Sequence, residues 1–193
     1  MGQTVSAAHG QLTTGRTSVV ASAAAPAPPI AVMMNGLRGA MGLEIAAVCL
    51  RRTGVTLAPF ALTGSKSPPN LIVDDGRGGE QVDVQLYKPD ERAALAARVA
   101  ADYPDPGSLI CIDFTHPSAV NENAEWYAAN RLPFVMGTTG GDREALMAVT
   151  ETSGTFAVIA PNMAKQIVAL QAALQQMAVE FPGAFDGYRL SVV

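Results

Sequence analysis

Three glycines, Gly36, Gly39 and Gly42, recur at three-residue intervals in Ile30-Ala31-Val32-Met33-Met34-Asn35-Gly36-Leu37-Arg38-Gly39-Ala40-Met41-Gly42. Apolar residues from Ile30 to Met34 read as a buried strand, and a helical pattern starts directly after the glycines. Glycines so placed suit a phosphate group. The first takes backbone angles that a Cβ forbids. The second lets the backbone approach a pyrophosphate, and the third lets the helix pack close to the strand. The helix N-terminus adds free N–H groups and a partial positive charge. The chemistry implied is dinucleotide binding. The spacing is looser than Gly-x-Gly-x-x-Gly and also fits a structural tight turn; its place between strand and helix favours the nucleotide.

A second strand is expected from Thr56 to Leu62, its end facing the adenosine ribose. NAD-binding proteins put an acid there to accept the ribose hydroxyls. Here no acid stands between Glu44 and Asp74, and the chain reads Thr63-Gly64-Ser65-Lys66. A hydroxyl and an ammonium welcome a 2′-phosphate that a carboxylate would repel. The expected cofactor is NADPH, with NADH possible; the competing reading makes Ser65 and Lys66 ordinary solvated loop residues.

Other chemistry is scarce. The chain has two histidines, His9 and His116. Neither a Ser-His-Asp set nor a metal cluster can be built from them, and no catalytic residue is assigned. His116 lies at a strand end and reads as a solvated or structural loop histidine. Cys49 and Cys111 sit inside apolar patterns and read as buried thiols. Asp74-Asp75, followed by Gly76 and Gly78-Gly79, reads as a solvated turn. Met33, Met34, Met41, Met136 and Trp126 read as core packing. Lys165 either meets an anionic substrate or is a surface lysine.

The elements that must position these residues alternate. A helix is expected from Ala40 to Thr53, with Met41, Ile45 and Val48 on its apolar face and Leu43 and Leu50 widening it. Val82 to Leu86 alternates like a half-buried strand, with Leu71 to Val73 as its partner. Pro89 opens a helix that runs to Asp102. Ser108 to Phe114 is a strand running into Thr115-His116-Pro117. A helix from Ser118 to Asn130 turns Val120, Ala124 and Tyr127 inward. Pro133 to Met136 is a strand ending in Gly137-Thr138-Thr139-Gly140-Gly141, and Asp142 caps the next helix, to about Thr152. Thr155 to Ile159 is a strand, followed by a helix from Lys165 to Glu180 and a closing strand from Tyr188 to Val193.

That alternation predicts an α/β fold, a Rossmann-like parallel sheet with helices on both faces. Ligands of such sheets bind beyond the carboxyl ends of the strands. Four segments lie there: the glycine turn, Asp113 to Pro117, Gly137 to Gly141, and Ala160 to Met163.

The chain has 193 residues, 49% hydrophobic and 16% charged, with a net charge of −4. That balance argues against non-specific nucleic-acid binding. No apolar run approaches the ~18 residues of a membrane span. Met1 to Pro29 holds Arg16 and no acid, and is rich in Ala, Ser, Thr and Gly. It reads as an organelle transit peptide or as a disordered leader.

Taken together, Gly36-x-x-Gly39-x-Met41-Gly42, Asp113-Phe114-Thr115-x-Pro117-Ser118, Phe134 to Arg143 and Pro161-Asn162-Met163-x-Lys165-Gln166 resemble dihydrodipicolinate reductase (4-hydroxy-tetrahydrodipicolinate reductase). Val135 to Arg143 and Phe181-Pro182-Gly183-Ala184-Phe185 look most like its plant and algal branch, which suggests a plastid location. The resemblance implies a cofactor domain over residues 30–164. It also implies a hinge helix and the first strand of a substrate and tetramerisation domain over 165–193, with 1–29 as leader. It implies reduction of a small cyclic substrate by NADPH or NADH, on the route to diaminopimelate and lysine, by a homo-oligomer. Gly36, Arg38, Gly39, Ala40, Met41, Gly42, Ser65 and Lys66 would hold the phosphates and ribose. Phe114, Thr115, Gly137, Thr138 and Thr139 would line the nicotinamide, and Pro161, Asn162 and Met163 the carboxamide. Thr139 and Lys165 would face the substrate. Many bacterial members carry a basic residue where this chain has Ala40, which leaves Lys66 and Arg38 for a 2′-phosphate. The paired histidines, the lysine and the Ser-Gly-Thr segment of the family's second domain have no counterpart here. An inert NAD(P)-binding module, or an unrelated dinucleotide-binding regulator, would share the fold without the activity.

Overall fold

The computed structural model describes residues 28–105 and 107–189. The expected leader up to residue 27 and residues 190–193 of the expected closing strand lie outside the described residues; Tyr188 and Arg189 have no regular structure.

Five parallel strands make the main sheet, in the order β2-β1-β6-β7-β8. They are β1 (Ile30–Asn35), β2 (Val55–Leu57), β6 (Leu109–Asp113), β7 (Phe134–Met136) and β8 (Ala157–Ile159). A second, three-stranded sheet has the order β3-β5-β4, from β3 (Phe60–Leu62), β4 (Asn70–Asp74) and β5 (Gln81–Tyr87). The helices are α1 (Ala40–Arg51), α2 (Arg92–Asp102), α3 (Val120–Ala129), α4 (Arg143–Ser153) and α5 (Lys165–Glu180).

β1 is buried on both faces, as its unbroken apolar run requires. Ala31 and Met33 point into one core with Leu95, Val99, Val120, Tyr127 and Leu146 from α2, α3 and α4. Val32 and Met34 point into the other, with Ala46 and Cys49 of α1 and the inner face of the second sheet. Helices therefore cover both faces. On α3, the expected inward residues Val120, Ala124 and Tyr127 are all fully buried. None of the residues of α5 is buried.

Three expectations are corrected. The strand expected from Thr56 to Leu62 breaks in two. Its first half follows β1 until the Ala58 amide donates to Val32 O. Pro59 has no N–H to continue that ladder; its carbonyl accepts from Gln85 N instead. Phe60 to Leu62 then pairs in parallel with Gln85 to Tyr87. The expected apolar face of α1 is also displaced. The helix buries Gly42, Ala46, Ala47 and Cys49, and leaves Met41, Leu43 and Val48 exposed. A Cβ on Gly42 would collide with the Gly36 carbonyl, so the small-residue stripe lies nearest the sheet, with the expected Ile45 and Leu50 half-buried against the core beside it. Met41, 54% exposed, is thereby not a core residue; Met33, Met34 and Met136 are. Third, the helix expected from Pro89 starts at Arg92, after a 3-10 turn over Pro89–Glu91. The hairpin of β4 and β5 has the expected pairing, with Val73 opposite Val82. Asp74 and Asp75 accept backbone N–H groups of their own turn.

Burial and the charge of Asp113 hold the Cys111 thiol well above its ordinary range. The same two causes act on the Tyr127 phenol. In the unfolded chain these groups lose their protons near about pH 8.5 and 10. The folded protein keeps protons that the unfolded chain releases, so stability falls as pH rises through that range. Urea midpoints between pH 7 and 10.5 are expected to fall, and Cys111 to resist thiol reagents until unfolding. Stoichiometric labelling of Cys111 in folded protein at pH 8 would contradict this.

Candidate functional site

The chain leaves β1 towards β2 on one side and returns to β6 on the other. Sheets of this kind bind ligands beyond the strand ends at that reversal. The glycine turn follows β1 and the segment Phe114 to Pro117 follows β6, so both lie there.

Gly36 has φ +89°, and a Cβ on it would collide with the Phe114 carbonyl. Gly39 donates its N–H to Gly36 O at 2.9 Å and is the N-cap of α1, where no side chain caps the helix. The first turn of α1 contains no acid. Free N–H groups at an uncapped helix start, beside backbone that admits no Cβ, fit a pyrophosphate. Ala40 and Met41 sit exposed on that first turn.

Beside the glycine turn, Arg38 Nη1 donates to the Lys66 carbonyl at 3.4 Å. Ser65 and Lys66 are exposed, and Thr63 Oγ1 and Ser67 Oγ, 2.6 Å apart, close the loop around them. A cleft of about 490 Å³ opens there, lined by Thr63, Gly64, Ser65, Arg92, Thr115 and His116. The His116 ring lies 2.9 Å from Ser118 Oγ and caps the 3-10 turn over Pro117–Ala119, the structural role expected of it.

On the other side of Phe114, a Cβ on Gly137 would strike the Phe114 ring. Gly137 N donates to Asp113 O at 3.0 Å, and Thr138 Oγ1 donates to Asp113 Oδ1 at 3.1 Å. A second cleft of about 330 Å³ is lined by Thr138, Thr139, Gly140, Arg143, Ala160 and Pro161. Asp142 caps α4 as expected, its Oδ1 accepting from Glu144 N and Ala145 N.

The structure thus joins the glycine turn to Phe114, Thr115, Gly137 and Thr138, and brings Arg38 to Lys66. Asn162, Met163 and Lys165 are exposed and line neither cleft. Asn162 Oδ1 accepts from Ala164 N at the start of α5.

Sequence reasoning placed Asp113 at a strand end and Tyr127 on the inner face of its helix, but missed that they join with Asn35 beneath these loops, each 0% exposed, with Asn123 beside them. The available signal was a polar residue closing each of two apolar strands, Asn35 after Met34 and Asp113 after Ile112.

A parallel sheet that reverses beside its glycine turn, with an uncapped helix start at that turn, defines a Rossmann-type dinucleotide-binding domain. Residues 30–163 match the family model described as dihydrodipicolinate reductase, N-terminus, and the chain belongs to that family. It is 41% identical over 175 residues to the probable chloroplastic 4-hydroxy-tetrahydrodipicolinate reductase 1 of Oryza sativa subsp. japonica, covering 90% of this chain and 48% of that protein. To the chloroplastic 4-hydroxy-tetrahydrodipicolinate reductase 2 of Arabidopsis thaliana it is 40% identical over 169 residues, covering 88% and 46%. The chain spans about half the length of these relatives. A dipicolinate-bound dihydrodipicolinate reductase from Paenisporosarcina sp. TG-14 shares the fold, with a TM-score of 0.59 at 23% identity over 80% of this chain and 55% of that one. Among the described residues, no helix is long and apolar enough to cross a membrane, and no cluster of His, Cys, Asp and Glu could hold a metal.

Proposed function

We propose that this chain is the cofactor-binding half of a plastid-stromal 4-hydroxy-tetrahydrodipicolinate reductase of lysine biosynthesis, with a preference for NADPH. The observation that carries the reading is the close approach of Gly36 to the Phe114 backbone and of Gly137 to the Phe114 ring at the sheet reversal, where neither glycine has room for a Cβ. In this reading residues 30–164 bind the cofactor and residues 165–193 lead into a substrate and oligomerisation domain.

The chain's own residues bind and orient. The glycine turn and the α1 N-terminus take the pyrophosphate, with Ala40 and Met41 alongside. Arg38, Ser65 and Lys66 take the 2′-phosphate. Phe114, Thr115, Gly137 and Thr138 seat the nicotinamide, whose carboxamide is read by backbone groups of Pro161, Asn162 and Met163. Thr139 and Lys165 face a small dicarboxylate substrate. When bound, the cofactor supplies a hydride; no proton donor is assigned within this chain.

The NADPH preference rests on the Arg38 guanidinium held on the Lys66 backbone carbonyl, beside a loop without an acidic residue. Lys66→Glu and Arg38→Glu are each expected to weaken NADPH about tenfold, which is about 1.4 kcal/mol, and NADH less than twofold. Titration of both cofactors against each variant by fluorescence is the test. Equal losses for the two cofactors would overturn the 2′-phosphate assignment.

A further inference from the structure

We propose that Asp113 is a positioning residue whose buried carboxylate, acting through Tyr127 and Asn35, ties the loop carrying Lys66 to the loop carrying Thr138. One hydrogen-bond network then sets both ends of the cofactor cleft. The proposal rests on the cofactor reading above and deepens it.

The network can be followed atom by atom. Leu62 N, one residue before the Thr63–Lys66 loop, donates to Asn35 Oδ1 at 2.7 Å. Asn35 Nδ2 donates to Tyr127 OH at 2.7 Å. Tyr127 OH donates to Asp113 Oδ2 at 2.6 Å. The other carboxylate oxygen accepts from Thr115 N at 3.0 Å, from Thr115 Oγ1 at 2.7 Å and from Thr138 Oγ1 at 3.1 Å. Asn123 Nδ2 donates to Asp113 Oδ2 at 2.9 Å, and Asn123 Oδ1 accepts from Arg92 Nη2 at 2.6 Å.

Two features separate this group from ordinary core polarity. First, Asp113 forms no ion pair among the described residues. Five donors satisfy it instead. A buried carboxylate held this way is costly compared with apolar packing of the same space, so stability alone does not account for it. Second, its ends emerge at the site. Leu62, Thr115 and Thr138 each adjoin a residue that lines one of the two clefts. The break after Ala58 removes β3 from the main sheet, and the Asn35 side chain supplies the acceptor that the ladder no longer offers to Leu62. A network in which Asn35, Tyr127 and Asp113 are each hydrogen-bonded on both sides behaves as a rigid unit, and a preorganised site binds without first ordering its loops.

The test uses Tyr127→Phe, which deletes one hydroxyl and keeps the ring packed on Phe134. The control is Val99→Ala, a cavity in the same core away from the network. Both are compared as the full chain under conditions where each is folded, at matched loss of urea midpoint. Hydrogen exchange of the free protein is read at residues 62–67 and 115–140. Binding is read with NADPH, with adenosine 2′,5′-bisphosphate and with reduced nicotinamide mononucleotide. Tyr127→Phe is expected to speed exchange at both loops at least tenfold and to weaken both half-ligands about tenfold; Val99→Ala is expected to change neither. Exchange and binding in Tyr127→Phe equal to those of Val99→Ala would overturn the proposal. If Tyr127→Phe does not fold, Thr138→Val cuts the network at its solvent end, and the same faster exchange at Thr115 and Gly137 is expected; unchanged exchange there overturns the proposal too. Failure of the unsubstituted chain to bind any of the three ligands would sink the cofactor reading, while the exchange data still decide the network.

Discussion

Gly36→Ala is expected to remove about 2–5 kcal/mol of folding stability, and with it nucleotide binding. The backbone at this position has φ +89°, a conformation that costs a residue with a Cβ roughly 1–2 kcal/mol. The added methyl would also fall on the backbone of Phe114. That backbone directly follows β6, and its amide donates to Asn35 O at 3.1 Å, so relief requires parting β1 from β6 at that end. Forced overpacking of that kind costs typically about 1–3 kcal/mol. The total rivals the ~5–15 kcal/mol by which a domain is stable at all. Gly54 provides the internal control. It has φ +81° with nothing within 4 Å of an added Cβ, so Gly54→Ala is expected to cost only the conformational part, about 1–2 kcal/mol. Urea denaturation of the two variants side by side is the check. Equal losses would mean that the close approach of Gly36 to Phe114 does not constrain the fold.

Asp113→Ala comes next in size, at about 1–3 kcal/mol. Truncation leaves Tyr127 OH as a buried donor with no acceptor, while Asn123 Nδ2 keeps Thr115 Oγ1 at 3.2 Å. Thr115 and Thr138 are partly exposed, so water can replace the acceptor they lose. Asp113→Asn is expected to cost less, because its amide oxygen still accepts on one side while its NH₂ group opposes donors on the other. Urea midpoints order the two variants; a loss below about 0.5 kcal/mol for Asp113→Ala would contradict the network as drawn, since that is the range of an ordinary surface substitution.

Much of this architecture was legible in the sequence because it depends on local pattern. The apolar run before Gly36, the Asp142 cap, the inward face of α3 and the alternation of β5 all follow from periodicity and capping. What sequence could not show depends on contacts between distant segments. The departure of β3 from the main sheet is decided at Pro59, but only pairing with β5 makes it stable. The buried face of α1 is decided by how near the helix sits to Gly36, so the larger Met41 and Val48 lost to Gly42 and Ala46. At the site, residue types at the strand ends indicated a nucleotide, and the family likeness supplied the roles. The Asn35–Tyr127–Asp113 connection stayed hidden because its members come from β1, α3 and β6, and because Tyr127 reads equally well as plain core.

The proposed dinucleotide site lies at the strand ends around Gly36, Phe114 and Gly137. The most direct measurement is amide hydrogen exchange of the chain with and without saturating NADPH. The expected result is protection concentrated in residues 36–42, 62–67, 113–117 and 137–140, and absent when Gly39→Asp places a carboxylate at the start of α1. NADPH binding that protects other segments, or a folded chain whose exchange NADPH does not change, would contradict that placement.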